Sequence, residues 1–211
     1  MTTMYAQYGE EKILLNFFEG KRNGRLVEIG AANGVKNSNS RFLIESYDWC
    51  GLLVEPHPTF FSELNKLYGL NSNIQLKQLA VFSEKSTMPF YVYGFENVEE
   101  AQVSTLSSNF KDKVCKIYGD GYKEPIMVET DTLTAILESQ LEIVDFLSVD
   151  CEGVDMDVLR SNDWKLHRPT LVCVEHSMPF SELHEYMTSQ GYWLLTRTAG
   201  NTFYVANGAS L

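Results

Sequence analysis

Residues 25–34 read R-L-V-E-I-G-A-A-N-G, and the choice of fold follows from them. Leu26, Val27 and Ile29 make a short buried strand. Gly30 and Gly34, with alanines between, make a tight turn whose backbone can pass close to something bulky, because glycine carries no Cβ. Glu28 stands two places before the first glycine. A strand, a small-residue turn and a helix start form a nucleotide pocket at the carboxyl end of a strand in α/β proteins.

The flanking sequence continues that alternation. Upstream, Ile13, Leu14, Phe17 and Phe18 share one face of a helix expected over Gln7 to Phe18. Downstream, Ser38, Asn39 and Ser40 are capping types ahead of a helix from Arg41 to Tyr47. Cys50 to Pro56, C-G-L-L-V-E-P, reads as a second buried strand ending in an acid, and Pro58 suits the first turn of the next helix. Ile74 to Phe82 reads as a third strand and Thr87 to Tyr93 as a fourth. Further strands are expected at Ile126 to Glu129, Asp145 to Cys151 and Pro169 to Glu175, with helices around Leu133, Val158 and Leu183. At the end, Tyr192 to Thr196 and Thr202 to Ala206 bracket T-A-G-N, a hairpin signature. Strand–helix alternation implies a mostly parallel sheet with helices on both faces. The closing antiparallel hairpin separates the methyltransferase variant of this architecture from the dinucleotide dehydrogenase variant.

Gly94 to Lys123 breaks the pattern. It holds Glu96, Glu99 and Glu100, a Ser/Thr patch over Ser104 to Ser108, and Gly119-Asp120-Gly121. It reads as a long excursion with one short helix. Long loops in compact domains tend to be functional, so this one is expected on the substrate side. The chain is read as a single domain over residues 1–211, with the excursion at about 94–125.

Bulk properties narrow the function. A net charge of -11 over 211 residues argues against non-specific nucleic-acid binding, which needs clustered Lys and Arg. No apolar run approaches the ~20 residues of a membrane span. The N-terminus lacks the basic flank and apolar block of a secretory signal. The four cysteines, Cys50, Cys115, Cys151 and Cys173, form no C-x-x-C pair and read as reduced. A cytoplasmic protein is the expectation.

The chemistry is expected at the strand ends. Glu28, Gly30, Ala32 and Gly34 match the E/D-x-G-x-G-x-G loop of S-adenosylmethionine-dependent methyltransferases, with alanine at the middle glycine. Glu55 ends the neighbouring strand, where a carboxylate accepts hydrogen bonds from ribose hydroxyls. Ala80 and Val81, ending the third strand, would flank adenine. Asp150 and Glu152, then Glu175 and His176, end the two later strands and would open into the same crevice. Methyl transfer to an alcohol needs the hydroxyl proton removed and its oxygen aligned with the methyl–sulfur bond. Two routes fit. In one, Asp150, Glu152 or His176 is a general base. In the other, Asp150 and Glu175, with His176 as third ligand, hold a divalent metal, Mg or Mn, that acidifies the hydroxyl. His57, between Pro56 and Pro58, reads as a loop residue, and His167 and His184 as surface or helix-face residues.

Taken together, Q-Y-G-E-E-K-I-L-L, V-E-I-G-A-A-N-G-V-K-N-S-N-S-R-F-L-I-E, G-L-L-V-E-P-H-P, V-D-C-E-G-V-D-M-D-V-L and R-P-T-L-V-C-V-E-H resemble the FkbM-type methyltransferases over about residues 5 to 180. The resemblance implies the Rossmann-like class I methyltransferase fold: a mostly parallel seven-stranded sheet with a C-terminal antiparallel hairpin. It implies methyl transfer from S-adenosylmethionine to a hydroxyl of a glycan, nucleotide sugar or natural product. By the match, Glu28, Gly30, Ala31, Asn33, Gly34, Ser38, Asn39, Glu55 and Pro56 line the donor site, covered by Gln7 and Tyr8. Asn33 stands where many members carry an acid. Partners expected are a small-molecule or glycan acceptor and, as an option, a second copy of the chain, with no nucleic acid. Two rivals remain at this point: a nicotinamide-dependent oxidoreductase, disfavoured by the missing G-x-G-x-x-G, and a catalytically silent methyltransferase-like partner, disfavoured by the intact acids.

Overall fold

The computed structural model describes residues 5–94, 100–140 and 142–209. Seven strands form one sheet: β1 (Arg25–Ile29), β2 (Cys50–Val54), β3 (Ile74–Lys77), β7 (Phe146–Val149), β8 (Leu171–Glu175), β9 (Tyr192–Arg197) and β10 (Asn201–Ala206). Their order across the sheet is β3-β2-β1-β7-β8-β10-β9. Neighbours are parallel from β3 to β8, while β10 runs against both β8 and β9. This is the class I methyltransferase form of the α/β fold, as the alternation and the terminal hairpin imply.

Period-two burial divides the core. Leu26, Leu53, Phe146, Leu171, Cys173 and Phe203 face one side. There they meet α1 (Glu10–Phe18), α2 (Arg41–Tyr47) and α3 (Pro58–Tyr68) through Leu14, Phe42 and Leu64. Their strand neighbours Val27, Leu52, Leu147, Val172 and Tyr204 face the other. There they meet α5 (Leu133–Glu138), α6 (Asp155–Arg160) and α7 (Phe180–Ser189) through Ile136, Val158 and Met187. The inner strands β1, β2, β7 and β8 are buried on both faces because both faces are covered, whereas the edge strands β3 and β9 are buried only in part.

Three features differ from the sequence reading. Ile74 to Phe82 is not one strand. The chain leaves the main sheet after Lys77, and β4 (Ala80–Val81) pairs instead with β6 (Ile126–Asp131), which also pairs antiparallel with β5 (Ser86–Phe90). This second, three-stranded sheet lets Val81, Phe90 and Val128 cover the core near α5. The first helix begins at Glu10 rather than Gln7, because Gly9 takes a left-handed φ of 81°. The excursion holds more order than one short helix: a 3-10 turn over Glu100–Val103 and an 11-residue helix, α4 (Ser108–Tyr118), capped by the Ser107 hydroxyl accepting from Phe110 N at 3.1 Å. Only Val114 of α4 is buried, and the helix is polar overall, so it does not stand out as an apolar segment in the sequence. Glu96 and Glu99 lie outside the described residues. Among the described residues, no helix is long and apolar enough to cross a membrane.

Candidate active site

Strand register builds the site. Ile29 is level with Val54 on one side and Val149 on the other, and Val149 is level with Val174. The next residue on each strand therefore emerges along one rim: Gly30, Glu55, Asp150 and Glu175. Asn201, paired with Glu175, joins them from β10. The rim lies where the strand order reverses about β1, the place where open α/β sheets bind ligands.

A cavity of about 360 Å³ opens there. From the expected donor side it is lined by Glu28, Gly30, Ala31, Ser38 and Asn39, and then by Glu55, Pro56, Ala80 and Val81. Gln7 and Tyr8 line it from the N-terminal segment, and Asp150, Glu152 and Glu175 line its other end. Asn33, Gly34 and His176 are not on its wall. Asn33 is turned to α3, its amide donating to Glu63 at 3.1 Å.

The glycines serve packing. A Cβ on Gly30, at φ +80°, would stand 1.8 Å from the carbonyl oxygen of Asp150, so the close neighbour is the adjacent strand. One on Gly34 would meet Leu64 at 2.6 Å, which lets α3 approach the turn.

Glu28 and Glu55 are buried and fasten the loops. Glu28 accepts from Asn39 N at 3.1 Å and from the hydroxyls of Ser38 at 3.3 Å and Ser40 at 2.5 Å. Glu55 accepts from Ala32 N at 2.8 Å and His57 N at 2.7 Å. Loss of water pushes each carboxyl up to about 7, against the pull of those donors.

Asp150, Glu152 and Glu175 bring a carboxylate oxygen each within 4.8 Å of one another. His176, expected beside Asp150 and Glu175, is not in this cluster; Glu152 stands there. His176 instead bonds Thr202 Oγ1 through Nε2 at 2.7 Å, because the side chain after the strand end turns to β10. Desolvation followed by the charge of Asp150 pushes Glu175 to about 11, while Asp150 rises to about 7 under desolvation and the charge of Asp155. Both carboxyls are thus pushed toward holding a proton, and among the described residues Glu175 Oε2 has no hydrogen-bond partner. Glu152 is also pushed upward by burial and by Asp150.

Glu152 projects into the cavity from a left-handed backbone, φ 52°. Buried Asp155 ties this turn from below, accepting from Cys151 N at 2.8 Å and Gly153 N at 3.2 Å, and from the Ser177 hydroxyl. The excursion ties it from above. Thr105 Oγ1 donates to the Glu152 carbonyl at 2.7 Å, and the Phe110 ring lies against Gly153. At the far edge of the cavity, Glu10 accepts from Tyr8 N at 2.8 Å and from Thr198 Oγ1 and Asn201 Nδ2 at 2.9 Å, pinning the N-terminal loop to the last hairpin. Sequence reasoning missed Asp155, Thr105 and His57; the buried-acid D-x-E-G-x-D spacing was the available signal for the first.

The profile of the Methyltransferase FkbM domain matches residues 28–194. The chain belongs to the FkbM methyltransferase family. The FkbM match begins at Glu28, on β1, and runs into β9. Among curated proteins no sequence match is found. Among solved structures, the chain is similar to a methyltransferase FkbM from Methylobacillus flagellatus KT, with TM-score 0.57 and 14% identity over 86% of this chain and 43% of that one. It is also similar to a METTL16 MTase domain, with TM-score 0.53 and 12% identity over 93% and 65%. A methyltransferase from Geobacter sulfurreducens gives TM-score 0.51 and 12% identity over 96% and 81%. At such identities the likeness establishes the fold. The FkbM chain described here spans less than half the length of the Methylobacillus protein.

Proposed function

We propose that the chain is an S-adenosylmethionine-dependent O-methyltransferase acting on a sugar hydroxyl, in a nucleotide sugar, a glycan or a glycosylated natural product. The observation that carries this is the common rim: Gly30 and Glu55 stand level with Asp150 and Glu175, so the donor-type turn and the acid cluster share one cavity. Its volume of about 360 Å³ falls in the range of roughly 300–1,000 Å³ that encloses a ligand of this size.

The residues fit the donor. Each Glu55 oxygen accepts one amide and keeps a lone pair for a ribose hydroxyl. Ala80, Val81 and Phe90 give apolar wall beside it. The donor supplies an electrophilic methyl carbon on a sulfonium. At the other end Asp150 or Glu152 takes the acceptor's hydroxyl proton as the oxygen–carbon bond forms and the carbon–sulfur bond breaks, leaving S-adenosylhomocysteine. Glu175, beside Asp150, orients it. A divalent cation held by Asp150, Glu152 and Glu175 would acidify a coordinated hydroxyl and relieve the repulsion among the three acids. Gln102, Ser104 and Asn201 add polar lining suited to a polyhydroxylated acceptor.

The test is a mass-spectrometric screen of nucleotide sugars and glycosides with donor present. One added methyl group on a hydroxyl, lost in Asp150→Asn, is the expected result. Methylation confined to amine acceptors would overturn the O-specific reading, and failure to bind the donor would overturn the whole of it.

A further inference from the structure

We propose that His57 is a nucleoside-binding residue: its imidazole is fixed in one tautomer, so that Nε2–H donates to a hydrogen-bond acceptor on the nucleoside half of the donor. This rests on the donor reading above and adds a residue to it.

His57 is the N-cap of α3, 7% exposed, one residue before Pro58. Its Nδ1 accepts from Thr59 N at 3.2 Å and, at the long limit, from Phe60 N at 3.5 Å. A ring nitrogen that accepts from amides carries no proton, so the proton of the neutral ring is on Nε2. Protonating Nδ1 would break the cap. Burial, with the charge of Lys123 adding to it, also lowers the ring's affinity for a second proton. Among the described residues no protein group bonds Nε2, and His57 lines the cavity.

The ring is also held in orientation. It packs on Phe60, with centroids 4.6 Å apart and planes at 36°, and meets the Phe90 ring edge-on at 6.4 Å. Its backbone N–H is bound to Glu55 Oε1 at 2.7 Å, so the imidazole and the ribose-type acid are rigidly linked. The result is an apolar slot between Phe60, Phe90 and Val81 with one fixed N–H donor. Capping alone does not call for histidine here, since Asn, Asp and Ser cap helices better. The second ring nitrogen is what those residues lack.

That difference provides the experiment. His57→Asn keeps an N-cap acceptor and removes the Nε2 donor. Thermal melting and calorimetric titration with S-adenosylhomocysteine are run on the native protein and the variant. The expected result is a folded variant with a modestly lower melting temperature, from the lost ring packing, and affinity about five- to tenfold weaker, the worth of one hydrogen bond. Equal affinity in the two proteins overturns the assignment of His57 and leaves the donor reading standing. No binding by the native protein overturns both. A measurement on the native protein covers the case of an unstable variant. Long-range ¹H–¹⁵N spectra should give the Nε2–H tautomer, with the Nε2 resonance moving on addition of S-adenosylhomocysteine. The other tautomer, or an unmoved resonance in a saturated sample, overturns the proposal.

Discussion

Thr105→Val separates the excursion's structural hold on the acids from everything else it does. The change keeps a β-branched side chain, so the bridge to Tyr91, with backbone bonds of 2.8 and 3.0 Å, is untouched. What goes is a hydroxyl on a residue that is 1% exposed. That hydroxyl donates to the Glu152 carbonyl at 2.7 Å and accepts from Ser107 N at 2.9 Å. Each stranded buried group costs about 1–3 kcal/mol. The Glu152 carbonyl belongs to a left-handed residue that costs ~1–2 kcal/mol to hold, and some of that strain is relieved when the tie is cut. A net loss of about 3 kcal/mol follows, a fall of roughly 6–12 °C in melting temperature for a chain of this length. Thr105→Ser keeps the hydroxyl and should recover most of it. Circular dichroism melting measures the loss, and calorimetry should find donor affinity nearly unchanged, since Glu55 and His57 stand at the other end of the cavity. A valine variant that melts within about 2 °C of the native protein would refute the claim that this bond holds the acid turn.

Three further outcomes are expected. Glu55→Ala removes the ribose acceptor and strands the amides of Ala32 and His57, so donor affinity should drop at least about tenfold; unchanged affinity by calorimetry would take Glu55 out of the site. Glu28 and Glu55, each raised from 4.5 to about 7 in the folded chain, bind protons more tightly folded than unfolded. Their stabilisation is complete below the unfolded value and is lost as pH rises through the folded one. It amounts to no more than roughly 3 kcal/mol each, so the donor-free protein should melt higher near pH 5 than near pH 8, and the reverse trend would contradict the burial argument. If Asp150, Glu152 and Glu175 hold a divalent ion, excess chelator should abolish methyl transfer and added Mg or Mn restore it, whereas full turnover in chelator would leave a carboxylate base as the sole route.

The main sheet was legible because its inner parallel strands β1, β2, β7 and β8 are short apolar runs buried on both faces, and the acids that end three of them stand out against that background. Glu55, Asp150 and Glu175 were picked out by that contrast and by the family-like motifs around them. The second sheet was not legible. Residues 74–82 are apolar enough to read as one strand, and nothing local records that Ala80 and Val81 pair with Thr130 and Asp131 some fifty residues on. His57 was dismissed because two flanking prolines mark a loop, yet proline after the cap is also how α3 starts. His176 was misjudged for a related reason: sequence places it beside Glu175, but successive residues on a strand point to opposite sides, and its ring went to Thr202.

The rim that joins Gly30, Glu55, Asp150 and Glu175 has a consequence for synthesis. Because β7 inserts beside β1 and β8 beside β7, the glycine turn and its partner acids are about 120 residues apart along the chain. A nascent polypeptide halted before Phe146 has made every donor-side loop and still has no pocket floor. Competence for ligand should therefore arise only once Phe146 to Glu175 has been made and has inserted beside β1.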